Sequence, residues 1–165
     1  MGKDSKHDDP EYKARSVALR LLARREHSRQ ELSLKLRQRK IEQPVIDSVL
    51  DEYEEEGWLD DCRFADVYSR QRIDAGYGPV RIMSELQQRG VHFRPECLEE
   101  KRDADWVRVA AELREKRFGL GRLSDDLAEK LRQARFLARR GFSSAQVERA
   151  LKLEDAEQLW GGDDV

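Results

Sequence analysis

Long apolar runs are missing from this chain: none of its 165 residues falls in a stretch approaching the roughly 18 residues a membrane-spanning helix needs, which excludes a transmembrane protein. Cysteine is nearly absent. The two present, Cys62 and Cys97, have no CxxC partner and lie far from His7, His27 and His92, so no zinc site can be assembled and two free thiols in a reducing compartment are expected. The opening MGKDSKHDDPEYK has no apolar core of a secretory signal, and cytoplasmic residence is the expectation. Catalytic signatures are missing too: there is no Walker loop, GxGxxG, GxSxG or HExxH. Asp60-Asp61 and Asp125-Asp126 stand where helices begin and are read as caps rather than magnesium ligands, and the histidines as surface residues. The chain is therefore expected to be no enzyme and to carry no metal or cofactor.

Charge is what the sequence has in abundance. Asp, Glu, Lys and Arg make up 40% of it, mean hydropathy is −0.88, and the net charge of −2 conceals strong local asymmetry. From Tyr12 to Lys40 there are ten basic residues against Glu26 and Glu31; from Ile41 to Cys62 there are nine acids and no Lys or Arg. Trp106 to Lys152 is again basic, at +6, and Leu153 to Val165 carries −5, which either mimics DNA or keeps the protein soluble. A pI near 6 argues against a protein that simply coats DNA, yet leaves room for basic stripes.

Apolar residues recur with helical period almost throughout. Ala14, Val17, Ala18, Leu21 and Leu22 form one stripe, Leu32 and Leu36 a second, and Val45, Ile46, Val49, Leu50 and Tyr53 a third. Ser28 with Glu31 fits a capping box, Pro44 opens a helix and Gly57 closes it. A second set follows around Phe64, Val67 and Tyr68, then Pro79 with Ile82, Met83 and Leu86, then Pro95 with Leu98. A third set has Trp106, Val109, Ala110 and Leu113, then Leu127, Leu131, Ala134 and Leu137, then Val147, Ala150 and Leu151 after Ser143-Ser-Ala-Gln146. Trp58 and Trp106 read as packing residues, Tyr77 and Phe118 as exposed-loop candidates for a partner contact, and Trp160 as either a loose docking residue of the acidic tail or a residue without a role.

The three sets share a motif. Leu36-x-x-Arg39-Lys40-Ile41, Leu86-x-x-Arg89-Gly90-Val91 and Leu137-x-x-Arg140-Gly141-Phe142 align at offsets of 50 and 51 residues. Each ends a second helix; Gly90 and Gly141 supply a left-handed cap, whereas Lys40 in the first copy is expected to find another solution. The fold expected is all-α: three tandem three-helix repeats, helix-turn-helix-like, in an elongated, curved, solenoid-like array. The repeats are placed at 14–57, 58–104 and 105–152, between a flexible tail 1–13 and an acidic tail 153–165.

Gly57-Trp-Leu-Asp-Asp-Cys-Arg63-Phe-Ala65, then Gly76-Tyr-Gly-Pro79, Ile82, Glu85-Leu86 and Arg89-Gly90-Val91, resemble the central signature of the RecX family of recombinase regulators. So do Ala18-x-x-Leu21-Leu22-x-x-Arg25-x-x-Ser28-x-x-Glu31-Leu32 and Phe136-Leu137-x-Arg139-Arg140-Gly141-Phe142-Ser143. The resemblance runs over residues 14 to 152; Lys40 departs from it where glycine is common. It implies a cytoplasmic bacterial protein of DNA repair, recombination and the SOS response. Such a protein binds the RecA recombinase, usually as an inhibitor lodged in the groove of the filament on single-stranded DNA, suppressing filament extension, ATP hydrolysis and strand exchange.

The residues expected to meet filament or DNA are Arg20, Arg24, Arg25, Arg29, Lys35, Arg37, Arg39 and Lys40, with Arg132, Arg135, Arg139 and Arg140 as a second cluster. Direct binding to single-stranded DNA is expected to be weak, and the protein a monomer. The alternative is an autonomous helix-turn-helix-type nucleic-acid binder reading duplex DNA with the Arg29 to Lys40 helix; its few Asn or Gln, Gln30 and Gln38, and the low pI speak against base readout.

Overall fold

Side-chain caps set where the helices begin. The computed structural model describes residues 9–123, 125–155 and 158, and these contain helices and no strand. In chain order they are α1 (Pro10–Arg24), α2 (Arg29–Gln38), α3 (Gln43–Glu55), α4 (Asp61–Asp74), α5 (Pro79–Gln88), α6 (Glu96–Glu99), α7 (Asp103–Phe118), α8 (Leu127–Arg140) and α9 (Ser144–Leu151). Ser28 and Glu31 close a reciprocal capping box on α2, and Ser143 and Gln146 do the same on α9, satisfying first-turn amides that have no partner within the helix. Asp126 caps α8, and Asp60 accepts the Arg63 amide at 3.1 Å at the start of α4. Asp61 does otherwise: its Oδ1 accepts the backbone N–H of Arg29 at 2.8 Å, tying α4 to the start of α2.

Two helix starts lie earlier than sequence reading placed them. Asp9 caps α1, so Pro10 to Lys13, expected in a flexible tail, are helical. Asp105 accepts the Arg102 amide at 2.9 Å, and α7 therefore starts at Asp103, ahead of the expected boundary at 105.

The chain divides into two compact units, one running to Val67 and including Leu86–Phe93, the other made of Tyr68–Glu85 and the chain from Arg94 on. In the first unit α1, α2 and α3 enclose Ala14, Val17, Ala18, Leu32, Leu36, Ile46, Val49, Leu50, Tyr53 and Leu59, all buried. Arg63 clamps the turn after α3, donating to the carbonyls of Gly57 at 2.9 Å and Trp58 at 3.2 Å while its Nε meets Glu26 at 2.5 Å. Trp58, expected to pack, is 48% exposed and only leans on Tyr53, with ring centroids 5.2 Å apart.

In the second unit the buried face of α7 is Trp106, Val107, Ala110, Ala111 and Arg114. Arg114 is wholly buried and has no carboxylate partner among the described residues. Its guanidinium donates to Gln133 Oε1 (2.8 Å) and to the carbonyls of Ala150 (3.1 Å), Leu153 (2.7 Å) and Gly121 (2.8 Å). This arginine turns α8: Gln133 and Leu137 are its buried residues, whereas Leu127 and Leu131, expected in its apolar stripe, are 71% and 46% exposed.

The shared motif has a docking function. Lys40, Gly90 and Gly141 all adopt left-handed backbone, with φ of 63°, 83° and 100°. In the first unit the start of α2 seats on the Gly90 turn: Ser28 Oγ donates to the Arg89 carbonyl at 2.7 Å and Gln30 Nε2 to that of Gln88 at 3.0 Å. In the second unit the start of α5 seats likewise on the Gly141 turn, with the Gly78 amide 2.8 Å from the Arg140 carbonyl and the Val80 amide 3.0 Å from that of Gly141. A Cβ on Gly141 would lie 2.2 Å from Arg81 Cβ, and one on Gly90 2.7 Å from Gln30 Cβ. At the Lys40 turn, among the described residues, only the Lys13 ammonium reaches in, to the Arg39 carbonyl at 3.4 Å. Glycine is thus required where another helix docks, and lysine stands where none does.

Candidate partner and phosphate-binding surfaces

The basic block of the first unit separates into cations paired internally and cations without an ion pair among the described residues. Arg29, half-buried, is surrounded by acids of α3: Asp51 at 2.6 Å, Glu54 at 3.1 Å and Asp47 at 3.7 Å. Arg15 likewise meets Glu11 and Glu52. Much of the acidic block therefore neutralises its neighbouring helices. Arg25 forks onto Glu31 at 3.1 and 3.3 Å and donates to the Glu26 carbonyl at 2.8 Å. Burial works to raise the Glu31 carboxyl, but Arg25 and the Ser28 amide outweigh it and hold it below the usual carboxylate range.

Arg20, Arg24, Arg37, Arg39 and Lys40 are exposed and Lys35 half-buried, and none has an ion pair among the described residues. They do not form one patch. The contact of Lys13 with Arg39 puts the beginning of α1 beside the end of α2, gathering Arg37, Arg39 and Lys40 there, while Arg24 lies at the opposite end of α1. Cations in a last helical turn also sit favourably against the helix dipole.

The connection from α1 to α2, beside Arg24, holds His27, which sequence reading placed at the surface and which is buried, 1% exposed. Nδ1 lies 3.0 Å from the Arg25 carbonyl, and Nε2 is buried without a hydrogen-bond partner. Desolvation lowers the imidazole pKa against the backbone contact, and the Arg25 charge adds to the lowering. The folded unit holds His27 neutral, whereas the unfolded chain protonates it near its ordinary pKa of about 6.5. Its contribution to stability is complete above that value and is lost as pH falls through the lower folded pKa. The urea midpoint of the wild type is expected to drop between about pH 7 and pH 5, and His27→Gln to flatten that drop; equal pH profiles would assign the titration to another group.

In the second unit the expected cluster Arg132, Arg135, Arg139 and Arg140 lies along α8, and aromatic rings organise part of it. Arg140 lies 4.7 Å from the Tyr77 centroid and 5.5 Å from that of Phe136, and donates to the Ala75 carbonyl at 3.3 Å. Arg132 lies 5.1 Å from the Phe118 ring and 3.5 Å from Glu129. Arg135 and Arg139 are exposed, with no ion pair among the described residues. Phe118 is the last residue of α7 rather than a loop residue, edge-on to Phe136 at 5.3 Å. Tyr77 lies between α4 and α5, half-buried. Trp160 is outside the described residues.

Sequence reading missed three arginines of this cluster. Arg117 lies 4.8 Å from Phe136 and 5.7 Å from Phe118; Arg72 and Arg81 lie 3.7 and 4.5 Å from Tyr77. Arg72 and Arg81 share Glu85, at 2.7 and 3.0 Å, which also accepts from Tyr68. Burial pushes the Glu85 carboxyl up, and these three donors outweigh it, holding it below its usual range. The i,i+4 spacing of Arg81 and Glu85 was visible in sequence; the meeting of four helical segments on three rings was not.

Comparison with known proteins gives these surfaces a family. Residues 14–52, 60–92 and 103–151 match, in order, the family models for the first, second and third three-helix domains of RecX. The chain is 48% identical over 149 residues to the regulatory protein RecX of Halorhodospira halophila, covering 89% of this chain and 91% of that one. It is 42% identical to that of Ectopseudomonas mendocina, covering 84% and 92%. Among solved structures, the crystal structure of RecX from Lactobacillus salivarius superposes with a TM-score of 0.71 over 87% of this chain and 96% of that one, at 22% identity, a likeness of fold. With three domains matched in sequence order and relatives aligned over nearly their whole length, the chain belongs to the RecX family.

Proposed function

We propose that this protein is a non-enzymatic, cytoplasmic, monomeric regulator of the RecA recombinase that lodges in the groove of the RecA–single-stranded DNA filament. It acts mainly as an inhibitor, suppressing filament extension, ATP hydrolysis and strand exchange. The observation that carries the reading is the division of the first basic block. Acids of the same unit neutralise Arg15, Arg25 and Arg29, while Arg20, Arg24, Arg37, Arg39 and Lys40 stay exposed without ion pairs among the described residues. Beyond the helix-dipole contact of Arg24 and Arg37, the folded unit neutralises none of these cations among its described residues, and they suit an acidic partner surface or phosphates. Membership of the RecX family supports the recombinase as that partner.

The duplex-reading alternative needs the first turn of α2 free to enter a major groove. That turn is occupied: Ser28 and Gln30 are bonded to the Gly90 turn, the Arg29 amide to Asp61 and the Arg29 side chain to Asp51.

Steady-state ATP hydrolysis by RecA on single-stranded DNA, titrated with this protein at two DNA concentrations, tests the reading. Inhibition at substoichiometric protein, little changed by excess DNA, is the expected result; inhibition that vanishes in excess DNA overturns it. Charge reversal at Arg20 and Arg24 together, away from the Arg25–Glu31 fork, is expected to raise the half-inhibiting concentration about tenfold or more with helicity intact.

A further inference from the structure

The aromatic rings of the second unit line up its guanidiniums into a continuous row. Arg72, Arg81 and Arg140 lie within 4.7 Å of the Tyr77 centroid; Arg140 and Arg117 share Phe136; Arg117 and Arg132 share Phe118. Among the described residues three of these five guanidiniums have a carboxylate partner, Arg72 and Arg81 in Glu85 and Arg132 in Glu129, while Arg117 and Arg140 have none. Like charges this close repel, and the negative ring faces with two carboxylates offset only part of that repulsion. The remainder calls for an external anion. Arg132, Phe136 and Arg140 recur every fourth residue, so the row follows α8 for about 12 Å at 1.5 Å per residue.

We propose that this row is a phosphate track: it binds the backbone of single-stranded nucleic acid through guanidinium–phosphate contacts and does not read its bases. Each ring already has two or three guanidiniums against it, which leaves no open aromatic face of the kind on which a base stacks. Among the described residues Arg117 donates to no protein oxygen and Arg140 only through Nη1 to the Ala75 carbonyl, so these two keep N–H groups for contact with phosphate, while Arg72, Arg81 and Arg132 also face Glu85 and Glu129. A regularly charged polymer suits a regular row of cations, whereas a protein interface of this size would be centred on apolar anchors, and here the rings serve as backing for charge. The proposal rests on the regulator reading only for the source of the strand, the DNA of the filament.

The test uses the full chain and labelled oligothymidylate and oligoadenylate, without recombinase, in anisotropy titrations from about 50 to 200 mM salt. Both strands are expected to bind within about twofold of one another, because stacking and base edges contribute little. The Arg117→Gln/Arg140→Gln double variant is expected to flatten the log–log salt slope by about 1.4, at about 0.7 per single-strand contact. Arg117→Lys/Arg140→Lys is expected to restore most of that slope, because it keeps the charge, and Lys152→Gln to leave it unchanged; circular dichroism checks that each variant is folded. A slope unaltered in the folded Gln variant overturns the track. So does displacement of the strand by inorganic phosphate at equal phosphate concentration and matched ionic strength, which would mean a single anion pocket. Failure of the wild type to bind either strand overturns it as well and turns the row over to an acidic protein surface. Strand binding without RecA inhibition would remove the regulator reading and leave the track; inhibition without strand binding would remove the track alone.

Discussion

Replacing Arg114 by methionine is expected to destabilise the second unit by about 3 kcal/mol, although the side chain takes no part in any proposed contact with a partner. Methionine fills the space of the arginine stem, so the loss isolates the hydrogen bonds. Four oxygens lose a donor, Gln133 Oε1 and the carbonyls of Gly121, Ala150 and Leu153, of which the Ala150 carbonyl keeps the Leu153 amide at 3.4 Å. Each buried acceptor left unsatisfied costs about 1–3 kcal/mol. Against this stands the relief of a desolvated cation, which burial holds at a lowered pKa and which costs several kcal/mol by itself. The acceptor losses win because three of the four belong to the backbone and cannot be replaced along with the arginine. Arg114→Lys keeps the charge but has one compact head group for oxygens spread over three segments, and should recover less than half of the loss. Hydrogen exchange of the α9 amides reads the effect directly. Unchanged protection in Arg114→Met would show that the four bonds contribute nothing net.

At the three copies of the shared motif, substitutions at the left-handed position are expected to have effects of very different size. Gly141→Ala places a Cβ 2.2 Å from Arg81 Cβ and 2.7 Å from the Arg81 amide nitrogen, on a backbone with φ of 100°. Left-handed strain of about 1–2 kcal/mol and overpacking of about 1–3 kcal/mol add to a loss near 4 kcal/mol. It would also strain the bonds by which the start of α5 holds the turn. Gly90→Ala should cost less, since the nearest atom is the end of the Gln30 side chain, which can swing away, although Gln30 Cβ at 2.7 Å cannot. Lys40→Gly should change stability by less than about 1 kcal/mol, because release of left-handed strain at φ of 63° offsets the greater freedom of glycine in the unfolded chain. Urea midpoints of the three variants check the order; a Gly141→Ala protein as stable as Lys40→Gly would show that the close docking is unnecessary.

Local chemistry made much of this protein legible from its residues. Ser28 with Glu31, Ser143 with Gln146, Pro44 and Gly57 act within a few positions of themselves, so the pattern that announces a helix end also makes it. The repeated Leu-x-x-Arg motif and the family signature were open to view for the same reason. Composition along the chain also located the two basic regions. Lys40 was recognised as the odd copy, but its cause, the lack of a docking helix at that turn, involves residues far from it in sequence.

Long-range neighbours settled the rest. Arg24 and Arg29 are alike in sequence, five residues apart in one basic block, yet Arg29 is held among the acids of α3 and Arg24 is exposed. Helical period placed Leu127 and Leu131 inside, while the demand of Arg114 for Gln133 turned α8 and left both leucines in solvent. An arginine at position 114, in register with Trp106 and Ala110, was the one visible sign of that buried centre. Helix, cap and turn propensities act over one or two turns and can be read along the chain. Whether a cation is neutralised, buried or left for a partner depends on electrostatics and desolvation among segments that meet only once the chain has folded.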